Sequence, residues 1–228
     1  MRMPGEWPRT GASEADAVGF VLAGGRSTRM GQDKALVEVE GKPLVAHALG
    51  ILRGAGLAAS LAGGACGLEA FAPVVADAEP GLGPLAGICA ALASTSARLA
   101  VFLPIDQPLL PVSLIDFLVR HARIAGSLVT VVSVNGSSQT FPAVLDRAIL
   151  RELECEFRSG RRGCFAGFKA AASSLGRPMS VLSVEVLVQS GQIAHPEGLS
   201  ASRWFLNVNA PQGLRLANEY RRRQLRVS

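Results

Sequence analysis

A glycine-rich segment near the start of the chain carries the residues best suited to chemistry. It reads LAGGRSTRMGQDK and runs from Leu22 to Lys34. Gly24 and Gly25 have no Cβ, so the backbone can approach a ligand closely and point its N–H groups at phosphate oxygens. Arg29 and Lys34 place two cations behind this loop, where they can neutralise phosphate charge. The segment therefore predicts a binding loop for the triphosphate of a nucleotide.

Spacing excludes two familiar phosphate loops. A Walker loop has four residues between its glycines and a lysine directly after the second glycine. Here five residues separate Gly25 from Gly31, and Lys34 comes three positions later. The G-x-G-x-x-G pattern of dinucleotide sites is absent too. A bare structural turn is the alternative, and the ordered series Arg29, Gly31, Asp33 and Lys34 disfavours it.

A second candidate is the carboxylate that follows the apolar run ending at Leu103. The chain continues Pro104-Ile105-Asp106-Gln107-Pro108. Nucleotidyl transfer uses a divalent cation to bind phosphate oxygens, and Mg²⁺ usually takes one or two carboxylates together with phosphates and water. Asp106 is therefore the predicted Mg²⁺ ligand. The alternative is a turn aspartate that caps the following loop or helix.

These segments need a scaffold, and apolar runs that alternate with helical patterns predict a parallel sheet covered by helices. Strands are predicted at Val18–Leu22, Leu57–Leu61, Val74–Val75, Leu99–Leu103, Leu128–Val134, Phe141–Leu145, Val181–Val184 and Phe205–Val208. Helices are predicted at Pro43–Leu52, Pro84–Ala93, Val112–Arg123, Asp146–Phe157, Phe165–Ala172 and Leu214–Arg223. The predicted fold class is α/β, a single Rossmann-like three-layer domain over residues 18–228 with a mostly parallel sheet. Residues 1–17 are predicted to be a disordered N-terminal extension.

Ligands in open α/β sheets bind beyond the carboxyl ends of the strands. Four polar motifs follow predicted strand ends, namely Leu22–Lys34, Asp77, Asp106 and Asn207–Asn209. We therefore expect a single site at that rim of the sheet.

Composition narrows the class of protein further. Of 228 residues, 49% are hydrophobic but no apolar stretch reaches the roughly 18 residues that span a bilayer. The four cysteines, Cys66, Cys89, Cys155 and Cys164, have no C-x-x-C spacing, which disfavours zinc and disulfides and favours a cytoplasmic protein. A net charge of +5 suits polyphosphate substrates, and the 5% aromatic content offers few rings for stacking bases. We expect no nucleic-acid and no membrane partner.

The first segment resembles the signature LAGGxSxRMGxDK of the molybdenum cofactor guanylyltransferases, the MobA family. The resemblance extends over roughly residues 18–220. Further matches are G-K-P-L-x-x-H at Gly41–His47, G-P-L-A-G at Gly83–Gly87, P-C-D-x-P at Pro104–Pro108 with Ile105 for Cys, H-P-A at Phe141–Ala143 with Phe141 for His, G-x-R-R at Ser159–Gly163, and N-V-N-T-P at Asn207–Pro211 with Ala210 for Thr.

This resemblance implies transfer of GMP from GTP to the molybdopterin phosphate, with Mg²⁺ and release of pyrophosphate. It implies nucleotide-binding roles for Leu22, Ala23, Gly24, Gly25, Arg29, Lys34, Asp77 and Asp106, and catalytic roles for Arg29, Lys34 and Asp106. It implies pterin binding by Arg161, Arg162, Asn207 and Asn209. The implied partners are GTP, molybdopterin or molybdenum-molybdopterin, and molybdoenzyme clients or chaperones.

Alternatives remain at several of these positions. Asp77 can equally start a turn, Asn207 and Asn209 can bond only backbone, and the arginine segment can be a solvated loop. His47 is predicted to be a core or helix-face residue, while His121 and His195 are predicted to be at the surface.

Other activities also remain open. Gln107 is similar to the D-Q-P of the molybdopterin cytidylyltransferases, and residues 62–64 are small where the guanylyl family has a base-contacting Asn. Leu22–Gly25 favours guanine, because cytidylyl relatives typically read A-A-G there. A sugar-phosphate or isoprenoid-precursor nucleotidyltransferase shares the glycine loop but rarely the Asn-Val-Asn motif. A non-catalytic GTP-binding partner of a molybdoenzyme would show no Mg²⁺-dependent pyrophosphate release.

Overall fold

A computed structural model describes residues 16–23, 33–63, 67–77, 83–161, 163–177 and 179–222. Its strands are β1 (Ala17–Leu22), β2 (Glu38–Val39), β3 (Lys42–Pro43), β4 (Ala58–Ala62), β5 (Val74–Val75), β6 (Leu99–Pro104), β7 (Val129–Val134), β8 (Ser137–Asp146) and β9 (Ser180–Ser183). Its helices are α1 (Leu44–Gly54), α2 (Pro84–Ala93), α3 (Val112–Ala125), α4 (Leu150–Arg158), α5 (Cys164–Ser174), α6 (Val184–Gln189), α7 (Ala201–Trp204) and α8 (Pro211–Arg222).

Seven of these strands form one sheet in the order β5-β4-β1-β6-β8-β7-β9. The strands β5, β4, β1 and β6 pair in parallel, as do β7 and β9. The long strand β8 runs antiparallel to both of its neighbours, β6 and β7. The predicted α/β class with a mostly parallel sheet is therefore confirmed.

The register brings several strand ends into one row. Leu22 at the end of β1 lies opposite Ala62 of β4 and Pro104 of β6, and Ala62 in turn lies opposite Val75 of β5. Parallel strands paired in this way finish at the same edge of the sheet. The backbone that follows each strand therefore leaves from one rim.

Alternate side chains of the strands enter two separate cores, as the period of two requires. On one face, Val21 and Leu103 pack with α1 and α3. On the other face, Phe20 and Phe102 stack on each other with ring centroids 5.5 Å apart, among residues of α2, α4 and α5. The sheet is thus covered on both sides, and the fold has three layers.

The predicted strand over Phe205–Val208 is wrong. These residues follow α7 as irregular backbone, although Val208 is fully buried. An apolar run of this kind becomes a strand only if an open sheet edge is available to it. Both edges of β6 are already occupied by β1 and β8, so this segment packs against the sheet without joining it.

Smaller differences have local causes. Asp146 ends β8 and accepts a hydrogen bond from the backbone N–H of Ala148, which caps a 3-10 turn, so α4 begins at Leu150 and not at Asp146. Val184 starts α6, where the sequence predicts the end of a strand. The short β2–β3 hairpin, with positive φ at Glu40 and Gly41, is absent from the predicted elements. Residues 1–15 of the predicted extension lie outside the described residues, and β1 begins at Ala17.

Candidate nucleotide-transfer site

The row of strand ends forms the floor of the candidate site. Leu22 is the last residue of β1, and the backbone N–H of Ala23 donates to the carbonyl oxygen of Ala62 at 3.0 Å. This bond continues the β1–β4 pairing by one step beyond Leu22. Gly24, Gly25 and Arg29, which are predicted to bind phosphate, lie outside the described residues.

Lys34 contacts two other predicted residues of the site. Its Nζ donates to Asp106 Oδ2 at 2.8 Å and also to Asn209 Oδ1. The Lys34 and Asp106 side chains are 19% and 15% exposed, so the ion pair is shielded from solvent but still reachable. The structure thus unites three residues that the sequence places in three separate motifs.

Local structure holds Lys34 in position. Asp33, just before it, accepts a hydrogen bond from the backbone N–H of Ala35 at 3.0 Å and so caps the 3-10 turn Lys34–Leu36. Ala35, the middle residue of this turn, is buried in the core. Asp33 therefore has a structural role in the motif, and Lys34 is held with its side chain directed toward the rim.

Asp106 is positioned from two sides. It comes two residues after the end of β6, behind the buried side chain of Ile105. Its carbonyl oxygen accepts a hydrogen bond from the backbone N–H of Val208 at 2.9 Å. Since this bond holds the 207–209 segment against Asp106, Asn209 reaches Lys34 although no strand carries it there.

Gln107 is a site residue that the sequence analysis does not assign. Its Nε2 donates to Asn207 Oδ1 at 3.2 Å, while its side chain is 7% exposed. Its Oε1 is buried and has no hydrogen-bond partner. Its position directly after Asp106 is the signal that could have identified it. A buried acceptor left unpaired beside a rim carboxylate costs about 1–3 kcal/mol and fits a site that takes a hydrogen-bond donor from a ligand.

Two other predicted positions lie on the same rim. Asp77 follows β5, whose Val75 is paired with Ala62. Gly63 lies within the 62–64 segment, where the family resemblance predicts an amide in other members, and its backbone takes a positive φ of 90°. A Cβ on Gly87 of α2 would lie 3.6 Å from the Gly63 backbone, so the G-P-L-A-G helix packs close to this strand end.

Arg161 of the arginine segment makes its described contacts with α4. Arg161 follows α4, forms an ion pair with Glu156 and is 46% exposed on its side chain. Its backbone N–H also bonds the Glu156 carbonyl at 3.1 Å. Arg162 lies outside the described residues. The described contacts of Arg161 thus hold it to the end of α4 and do not join it to Lys34 or Asp106.

Two histidines are structural. His47 is buried, as predicted for a core residue, and its Nε2 bonds the Val39 carbonyl oxygen at 2.9 Å. The prediction that His195 lies at the surface is wrong. It is 8% exposed, bonds the Leu109 carbonyl oxygen at 3.1 Å and packs on Trp204, because the loop after α6 folds back over the 107–110 segment.

The donors at the rim suit a hard divalent cation. Asp106 offers a carboxylate, while Asn207 and Asn209 offer amide oxygens. Within the described ranges, no group of three or more histidine, cysteine, aspartate or glutamate residues could form a metal site from protein alone. A single carboxylate beside a substrate site is what Mg²⁺ needs when phosphates and water complete its shell. The residues present therefore fit such an ion.

Over the part of the chain that the structure describes, helices are too short or too polar to cross a bilayer.

A mostly parallel α/β sheet with a lysine, a carboxylate and amides at its carboxyl rim is typical of a nucleotide-binding enzyme of the nucleotidyltransferase class. Residues 19–171 match the model of the MobA-like NTP transferase domain. The chain is 33% identical over 211 residues to the molybdenum cofactor guanylyltransferase of Sinorhizobium fredii, covering 88% of this chain and 89% of that protein. It therefore belongs to the MobA-like NTP transferases, in the family of the molybdenum cofactor guanylyltransferases.

Other proteins are similar to this chain in sequence or in fold. The molybdenum cofactor guanylyltransferase of Xanthomonas euvesicatoria is 42% identical over 106 residues, which span 46% of this chain and 54% of that relative. The molybdopterin-guanine dinucleotide biosynthesis protein A of Archaeoglobus fulgidus shares the fold, with a TM-score of 0.71 and 22% identity over 90% of this chain and 98% of that one. A protein from Mycobacterium tuberculosis, solved as a manganese complex, also shares it, with a TM-score of 0.61 and 21% identity over 90% and 98% of the two chains.

Proposed function

We propose that this chain transfers GMP from GTP to the phosphate of molybdopterin, forming the guanine dinucleotide of the cofactor and releasing pyrophosphate. The contact of Lys34 Nζ with Asp106 and Asn209 carries the proposal. It gathers a cation, a carboxylate and an amide where the strands end, beside the exit of the glycine-rich loop. The names of the guanylyltransferase relatives support guanine as the base and molybdopterin as the acceptor.

The proposed reaction needs neither a covalent enzyme intermediate nor a general base. The acceptor phosphate is already ionised at neutral pH, so no general base is required. One of its oxygens attacks the α-phosphorus of GTP in line, a new P–O bond forms, and the bond to the bridging oxygen breaks with its electron pair leaving on pyrophosphate. Lys34 and Arg29 neutralise the charge that gathers on the phosphates. Leu22, Ala23, Gly24 and Gly25 hold the nucleotide through their backbone.

Asp106 is the proposed ligand for Mg²⁺. When bound there, the ion would offset the negative charge that develops at the α-phosphate. Without the ion, Lys34 neutralises the Asp106 carboxylate and also donates a hydrogen bond to Asn209. Asp77, on the same rim, is the proposed second contact to the nucleotide.

The acceptor is proposed to lie on the side of the 207–209 segment. Asn207 and Asn209 are exposed there, and Asn207 is held in place by Gln107. Arg161 and Arg162 are proposed to bind the acceptor from the segment before α5. Molybdoenzyme clients or chaperones remain a prediction from the family resemblance.

Cytidylyl transfer is the alternative to GMP transfer, because Gln107 is similar to the D-Q-P of the cytidylyltransferases. The amide of Gln107 faces Asn207, which belongs to the proposed acceptor side. This arrangement supports an acceptor role for Gln107 and leaves base selection to the segment that begins with Leu22–Gly25.

Release of pyrophosphate, measured with molybdopterin and Mg²⁺ and with GTP and CTP in parallel, tests the proposal. We expect pyrophosphate release with GTP and none with CTP. Asp106→Asn keeps the shape of the side chain but removes its charge, and turnover should fall about 100-fold or more. Asp116→Asn is the matched control, because Asp116 belongs to an exposed ion pair with Arg120 on α3 and should not affect turnover.

Each contrary result identifies a different error. Preference for CTP would make the protein a cytidylyltransferase with the same metal ligand. Tight binding of GTP without release from either nucleotide would make it a non-catalytic partner. Near-normal turnover of Asp106→Asn at saturating Mg²⁺ would remove Asp106 from the metal site.

A further inference from the structure

Phe141 has an unusual position for a large apolar side chain. It lies on β8, which runs antiparallel to β6 with Phe102 opposite Ala143. Because β8 runs antiparallel to β6, Phe141 lies two residues beyond this pair, in the direction in which β6 runs to its last residue, Pro104. Asp106 follows just beyond that point. Phe141 therefore lies on β8, toward the end of β6 that leads to the proposed site.

The Phe141 ring is only partly covered. It is half-buried, while Phe168 below it is fully buried. The two rings meet edge to face, with centroids 6.3 Å apart and planes at 84°. Such contacts favour one orientation of the upper ring. Phe141 thus offers a firmly supported aromatic surface that still reaches solvent.

The elements beneath the ring connect it to the arginine segment. Phe168 lies in the second turn of α5, a helix that begins at Cys164 directly after the Ser159–Gly163 segment. A Cβ on Gly167 would lie 3.2 Å from the Leu85 side chain, so α5 packs closely on α2 at this point. The Phe141 surface is therefore supported by α5, the helix that the arginine segment precedes.

We propose that the Phe141 ring is the stacking surface for the planar ring system of the pterin acceptor. This inference rests on the proposed function, since it assigns a specificity-determining residue for that acceptor. A flat heteroaromatic ring gains most from a flat, rigid and partly desolvated partner. With the pterin ring on Phe141, the phosphate at the far end of the acceptor extends along the rim toward Asp106 and Lys34.

The test compares Phe141→Leu with wild type. Leucine keeps an apolar side chain and removes the ring. We expect the Kd for molybdopterin, measured without GTP by quenching of pterin fluorescence, to rise about tenfold. The KM for molybdopterin should rise in parallel, while the KM for GTP stays within twofold. Phe141→Tyr, which retains the ring, should restore the wild-type values.

Phe117→Leu is the matched control. Phe117 is also a half-buried phenylalanine stacked on one other ring, that of His121, but it lies on α3 against the opposite face of the sheet. This variant should leave both constants unchanged. If Phe141→Leu loses the folded circular dichroism spectrum, Phe141→His, which retains a planar ring, takes its place and should keep the Kd within threefold of wild type.

The outcomes separate this inference from the proposed function. A Phe141→Leu protein with unchanged Kd and KM for molybdopterin would overturn the stacking role, and so would a Phe141→His protein whose Kd rises more than tenfold. A wild-type protein that binds molybdopterin with Phe141-dependent quenching but transfers no GMP would overturn the proposed function and leave the stacking surface in place. Wild-type protein that binds no molybdopterin would overturn both.

Discussion

The backbone N–H of Val208 donates to the carbonyl oxygen of Asp106 at 2.9 Å. This bond ties a segment late in the chain to the central residue of the site. Through it, Asn207 reaches Gln107 and Asn209 reaches Lys34. The side-chain contacts of the site therefore depend on the position of the 207–208 backbone.

Gly213 of α8 tests that dependence. A Cβ at this position would lie 2.5 Å from the Asn207 carbonyl oxygen and 3.4 Å from Val208 Cα. Since both atoms belong to the backbone, Gly213→Ala must displace the segment, and we expect a loss of about 1–3 kcal/mol in unfolding free energy. Turnover should fall as well. Urea denaturation and pyrophosphate release measure the two effects.

Gly50→Ala on α1 serves as the control for Gly213→Ala. A Cβ there would meet only the flexible end of Lys42, at 3.3 Å. Alanine should stabilise the helix by up to about 1 kcal/mol and leave turnover unchanged. A Gly213→Ala protein that is stabilised and fully active would contradict the close contact.

Gln107→Met should change the KM for the acceptor without lowering the melting temperature. Methionine has a similar shape but removes both the unpaired Oε1 and the bond to Asn207. The variant removes the cost of the unpaired Oε1, and the exposed Asn207 can bond water in place of Gln107, so the melting temperature should stay equal or rise. The KM for the acceptor should rise because Asn207 loses its support. A fall in melting temperature with normal kinetics would assign Gln107 to packing alone.

The cysteines should react at very different rates. Burial, above all, raises the pKa of Cys89 and of Cys164 to about 12. At pH 8 their thiolate fraction is about 10³-fold below that of a free thiol with the ordinary pKa of about 8.5. Cys155 is exposed and should be alkylated by iodoacetamide within minutes, well before Cys89 and Cys164. Peptide mapping by mass spectrometry measures this order, and equal rates in the folded protein would contradict it.

Glu185 should contribute to stability in a pH-dependent way. Its carboxylate accepts hydrogen bonds from the Asn135 backbone N–H at 2.7 Å and from Ser183 at 2.9 Å, and chiefly the first of these lowers its pKa. Because the folded-state pKa is the lower one, the contribution is complete above the ordinary glutamate pKa of about 4.3 and is lost as the pH falls through the folded-state value.

Melting temperatures of wild type and Glu185→Gln between pH 3 and 7 test this sign. The wild-type advantage should be constant near neutrality and shrink in acid. An advantage that grows as the pH falls would show that the carboxylate is not stabilised as a charged group. Glu152→Gln on α4 is a suitable control, since its hydrogen bond from Ser174 is long, at 3.5 Å.

Local patterns in the sequence were sufficient for much of the scaffold. Helix α2 has the predicted bounds Pro84–Ala93, because proline starts it and its apolar residues have helical spacing. The strand ending before Asp106 is also predicted, since a continuous apolar run bounded by proline is typical of a buried strand. The roles of Asp77, Arg161 and the glycine loop remain predictions.

By itself, then, the sequence determined the kinds of residue at the strand ends and the class of sheet that carries them, because periodicity and turn residues act over a few positions. Only the tertiary structure decided which of these residues meet. Lys34 contacts Asp106 and Asn209 because an irregular segment docks on the rim through Val208. The sequence predicts a strand at Phe205–Val208, and it fails there because the segment docks next to the end of β6, whose two sides are already paired with β1 and β8.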